Sequence, residues 1–103
     1  MADDFPEITQ MIGGYLHQDM DLVADSVPGA IAVYAGDCAP ETRAAVKTEM
    51  AAFLKRFHNQ AEDEFARRWG RDFSPREIDQ TVETFFAMVA DILEDPAKAA
   101  SYE

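Results

Sequence analysis

The spacing of the apolar residues constrains this chain more than any other feature. Ile78, Val82, Phe85, Phe86, Val89, Ile92 and Leu93 fall on one helical face for about four turns. Val46, Met50, Phe53, Leu54 and Phe57 repeat the pattern at i, i+4, i+7, i+8 and i+11. Such a stripe stabilises a helix only when it is buried against another apolar surface. No alternating strand and no Asn-Gly hairpin signal accompanies these stripes. The pattern predicts an all-α fold.

Local punctuation divides the chain further. Phe5, Ile8, Met11, Ile12, Tyr15 and Leu16 form a first helical stripe, with Asp4 as expected N-cap and Pro6 in the first turn. The adjacent Gly13 and Gly14 weaken that helix, and close approach of a neighbouring backbone is the expected reason for them. Ser26 caps a short helix over 27–34, with Pro28 in its first turn, closed by Gly36 and Asp37. Pro40 opens the helix that carries the Val46–Phe57 stripe; its other face holds Arg43, Lys47, Lys55 and Arg56. Asn59 and Glu62 have capping-box spacing before a fourth helix through Phe65 and Trp69, ended by Gly70. A second box, Ser74 to Glu77, is expected to open the last long helix, which Pro96 ends. Four to five short-looped helices in a compact bundle follow, as one domain over residues 1–103 with a frayed tail at about 96–103.

The chain has 103 residues, 48% of them apolar, enough to bury a core without staples. Its one cysteine, Cys38, has no internal disulfide partner, and the N-terminus carries Asp3 and Asp4 where a secreted chain would carry positive charge. No apolar run approaches the roughly 20 residues that span a membrane. A cytoplasmic location is the expectation. The formal net charge is −11. Residues 1–42 hold eight acids and no Lys or Arg, and residues 77–103 hold seven acids against Lys98. That field repels nucleic acid and anionic membrane and attracts basic proteins. Arg67-Arg68-Trp69-Gly70-Arg71 superficially suggests nucleic-acid binding, but in so acidic a chain a core tryptophan on a basic-faced helix is the better reading.

Residues 15–21, Tyr-Leu-His-Gln-Asp-Met-Asp, hold the densest chemistry. His17 with Asp19 or Asp21, joined by His58 and Glu62 at i, i+4, would be the material for a metal site. Zinc sites use three or four ligands at recognised spacings, and none of those spacings is present, so no metal or cofactor is expected. His17 oriented by Asp19 could act as a general base, yet no nucleophile elbow or phosphate loop accompanies it. Cys38 has no adjacent base to activate it, and a small apolar filler or loop residue is its expected role. Enzymatic activity is not expected. A structural role remains open: His17 or Gln18 can satisfy carbonyls at the end of the first helix while Tyr15 and Leu16 stay in the core. Asp19 and Asp21 are costly to bury without partners, which places them at the surface or against donors.

The run Phe5-Pro6-Glu7-Ile8, followed by Tyr15-Leu16-His17-Gln18-Asp19-Met20-Asp21-Leu22, resembles the small immunity proteins of bacterial contact-dependent growth inhibition systems. Leu16 and Met20 stand where members of that family usually carry aromatics; the His-Gln-Asp centre is intact. The resemblance implies a non-enzymatic cytoplasmic protein that binds and neutralises the C-terminal toxin domain delivered by neighbouring cells. Such toxins are often nucleases and therefore basic. On this reading Asp19, Asp21 and Asp25 are candidate toxin contacts, with Tyr15, His17 and Gln18 joining them or shaping the segment. The acidic faces of residues 19–41 and 77–95 are where contacts that discriminate among toxins are expected. Two other classes remain open: an acidic helical adaptor for another basic protein, and a small metal-dependent enzyme using His17, Asp19 and His58. Oligomeric state is not legible.

Overall fold

The computed structural model describes residues 5–16, 26–71 and 73–102. Among these, five α-helices follow in order: α1 (Pro6–Tyr15), α2 (Val27–Asp37), α3 (Pro40–Arg56), α4 (Ala61–Trp69) and α5 (Val82–Glu94). Two 3-10 helices, Pro75–Ile78 and Pro96–Tyr102, complete the set, and no strand occurs among the described residues. The fold is an all-α bundle, as the apolar periodicity requires.

The start of α1 is held from a distance. Phe5 occupies the N-cap position with no side-chain cap, and Pro6 at N1 has no N–H to satisfy. The next two donors both reach Glu49 on α3. Glu7 N–H donates to Glu49 Oε1 and Oε2 at 3.0 and 3.2 Å, and Ile8 N–H donates to Oε1 at 3.1 Å. The expected N-cap, Asp4, lies outside the described residues, and a carboxylate 42 positions along the chain takes the donors it was expected to serve. The reason given for the paired glycines also needs correction. Gly13 and Gly14 are both exposed, and a Cβ on Gly14 would meet nothing within 4 Å among the described residues.

In α2 and α3 the local signals act as written. Ser26 Oγ accepts from Gly29 N–H at 3.1 Å, and α2 continues past its expected end through Gly36 and Asp37. In α3, Val46, Met50 and Phe53 are buried, and Leu54 and Phe57 pack half-buried against the core. Two capping expectations are overturned. The N-cap of α4 is Gln60, without a side-chain cap, and Glu62 turns away from Asn59 to accept from Val82 N–H at 2.9 Å. Glu62 thus caps α5 rather than its own helix. Ser74 N–H does donate to Glu77, at 2.8 Å, but that box opens only a 3-10 turn. Asp79 then adopts the left-handed conformation, φ 57°, which no helix continues through. A separate box, Thr81 with Thr84, starts α5.

The core is an aromatic cluster around the fully buried Phe53. Its ring meets Phe5 at 5.3 Å, Phe57 at 5.1 Å, Trp69 at 5.5 Å and Phe86 at 5.6 Å between centroids. One residue from each of α3, α4 and α5, with Phe5 beside α1, therefore shares a single contact centre. Such offset and edge-on pairs add about 0.5–1.5 kcal/mol each beyond area burial. Residues 96–102, expected to fray, form a 3-10 helix against α2 and α5, with Ala99 buried and the Tyr102 hydroxyl bonded to the Asp91 carboxylate.

Candidate functional site

Of the six candidate toxin contacts and signature residues, Tyr15 is the one that lies among the described residues. It closes α1 half-buried, and its hydroxyl donates to Asp37 Oδ2 at 2.9 Å. That bond, assisted by partial burial and the Asp37 charge, holds the phenol above its ordinary pKa. The Tyr15 ring meets Tyr34 edge-on at 5.0 Å. Tyr34 is 4% exposed, and its hydroxyl has no hydrogen-bond partner among the described residues. Burial pushes the Tyr34 phenol far up, with the neighbouring Cys38 adding to the shift. Tyr15 therefore belongs to a structural corner that ties the end of α1 to the end of α2. His17, Gln18, Asp19, Asp21 and Asp25 lie outside the described residues.

The metal reading loses the helix face that His58 and Glu62 were expected to share, while its His17, Asp19 and Asp21 lie outside the described residues. His58 lies in the turn between α3 and α4, whereas Glu62 is on α4, so the two do not share a helix face. Both line an open cavity of about 590 Å³, with Lys55, Asp63 and Glu83 beside them. No group of three or more metal-ligating side chains occurs among the described residues. Cys38 is the C-cap of α2 and is half-buried.

The basic stretch resolves as the acidic context suggested. Trp69 is 3% exposed, and its Nε1–H donates to Thr9 Oγ1 at 2.9 Å, joining α4 to α1. Arg67 and Arg68 both pair with Glu64, Arg68 Nε at 2.6 Å. Arg68 also lies over the Phe5 and Phe57 rings at 5.1 and 5.6 Å, a cation–π placement that serves packing. The Arg67 guanidinium holds the Glu64 carboxyl below the usual carboxylate range, with Arg68 adding to it against the opposing effect of burial. A second inter-helix pair, Lys47 with Glu94 at 2.9 Å, crosses from α3 to α5. Several bases are thus engaged by the chain's own acids, and no helix among the described residues is long and apolar enough to cross a membrane.

A family model described as CdiI immunity protein matches residues 4–93. The chain belongs to the CdiI immunity protein family. That match covers every α-helix except the last residue of α5, so the family assignment reaches well beyond the N-terminal run that first suggested it. No curated protein and no solved structure matches the chain. Membership of the CdiI immunity protein family implies a partner-facing surface. The sequence reading placed candidate contacts at single polar residues and on the acidic faces of residues 19–41 and 77–95. It did not single out the gap between α3 and α5, for which the sequence signal is small residues at helical spacing: Ala51 before Leu54, and Ala87 before Ala90.

Proposed function

We propose that this chain protects the cell that makes it by binding a cognate toxin domain in the cytoplasm, acting by occupancy and without catalysis. The observation that carries this reading is the family match over residues 4–93. The net charge of −11 supports a basic toxin, for which a nuclease is the natural class. Electrostatic steering between such partners raises association rates to about 10⁸–10⁹ M⁻¹s⁻¹ at low salt. Retention then depends on a few buried apolar or charged anchors.

The test is co-expression with the toxin domain encoded beside this chain, scored for growth and for a stable complex. Protection together with a purified complex is expected. A toxin that kills equally with and without this chain, and forms no complex, refutes the reading. Association should also slow markedly between low and physiological salt. A salt-independent rate would remove the steering argument and leave immunity standing.

A further inference from the structure

Among the described residues, an apolar opening lies between α3 and α5. It is a groove of about 330 Å³ whose lining includes Met50, Ala51 and Leu54 from α3 and Phe86, Ala87 and Ala90 from α5. Met50 and Phe86 form a rigid base, because both are buried and Phe86 stacks edge-on against Phe53. Ala51 and Ala87 are exposed, and methyl groups at those positions leave open the space that larger side chains would close. A platform of this kind needs little reordering to accept a side chain.

The rim is charged and mainly acidic. Glu83 is exposed beside the groove, and Lys47 is drawn to Glu94 across it. Leu54 and Glu83 also line the neighbouring 590 Å³ cavity, where Glu62 and Asp63 add two further exposed acids against Lys55. The apolar groove therefore opens directly onto an acidic hollow. A second copy of this chain fits poorly, since a self-complementary contact would set these acids against themselves at a net charge of −11 per copy. A basic partner gains from the same arrangement.

Building on the immunity reading, we propose that the α3–α5 groove seats an apolar anchor side chain of the toxin, with a flanking Lys or Arg of the toxin entering the acidic hollow beside Glu83. Apolar anchoring supplies retention, and the acids supply orientation.

The test measures binding of the full chain to the toxin domain encoded beside it. Ala87→Arg and Ala51→Arg each place bulk and positive charge in the groove from an exposed position, and each should weaken binding by about 100-fold or more. Circular dichroism and melting temperature should stay close to wild type. Gln10→Arg, which adds the same charge on the exposed face of α1, should change affinity by less than about 3-fold. Hydrogen exchange in the wild-type complex should slow across 47–54 and 83–94, which tests the groove even if a variant fails to fold. Folded groove variants that bind like wild type, or no slowing in those segments, overturn the groove while the immunity reading stands. A wild-type chain that neither binds nor protects overturns both.

Discussion

Replacing Glu49 should detach the beginning of α1 from the body of the protein. Its carboxylate is the acceptor for the two first-turn donors that Pro6 leaves to be satisfied, Glu7 N–H and Ile8 N–H. Losing a cap costs about 0.5–2 kcal/mol for a single donor. Two half-buried donors, at about 1 kcal/mol each, with about 0.5 kcal/mol of charge–dipole interaction, give roughly 2–3 kcal/mol for Glu49→Ala. Glu49→Gln is the discriminating partner. Oε1 alone accepts from both donors, at 3.0 and 3.1 Å, so the amide oxygen can keep one bond to each donor, while the charge and the longer Oε2 bond from Glu7 N–H are lost. That variant should cost about 1 kcal/mol. In urea titration the midpoint should fall in the order wild type, Gln, Ala, with the slope unchanged. In thermal melts Glu49→Ala should lower the midpoint by roughly 8–20 °C for a domain of this size. Amide exchange at Glu7 and Ile8 should accelerate before the rest of the core. If Glu49→Ala lies within about 0.5 kcal/mol of wild type while Asp4→Ala costs more than 1 kcal/mol, the capping argument is refuted and the local cap read from the sequence is right.

Other perturbations test separate contacts. Gly14→Ala should raise stability by about 0.5–1 kcal/mol, because the position is exposed, helical and open to a methyl group; destabilisation would reinstate a close packing role for that glycine. Trp69→Phe keeps most of the buried ring but removes the Nε1–H donor to Thr9 Oγ1 and should cost about 1–2 kcal/mol by urea titration; a neutral effect would show the Nε1–Oγ1 bond to be unimportant. Glu64 has a lowered carboxyl pKa in the folded chain, so its contribution is present above the unfolded value of about 4.3 and is lost as pH falls through the folded one. Glu64→Gln should therefore narrow its stability deficit to wild type between pH 7 and pH 3; a deficit constant with pH would refute the ion-pair account.

The helices were legible because helical periodicity is local. Residues three and four apart on one face share a fate, so the stripes at 46–57 and 82–93 could be read without knowing what covered them. Ser26 worked as a cap for the same reason, its acceptor and donor being three residues apart. The break at Asp79 was not legible: the periodicity from Ile78 to Val82 runs on through it, and the Ser74 box is genuine but opens only a short turn. Asp79 also tolerates the left-handed conformation better than most residues, a local signal that the apolar stripe outweighed.

The candidate site divides along the same line. Sequence by itself determined the all-α class, the positions of the core stripes, the acidic charge and the N-terminal run through which the family was recognised. Tertiary structure decided that Glu49 caps α1 from 42 positions away, that Glu62 caps α5 rather than α4, and that His58 and Glu62 do not share a helix face. It also decided that alanines on two separate helices face one groove. Each of these depends on which helix lies beside which. The 3.6-residue repeat states that a face must be covered and leaves the neighbour that covers it to the packing of the whole chain.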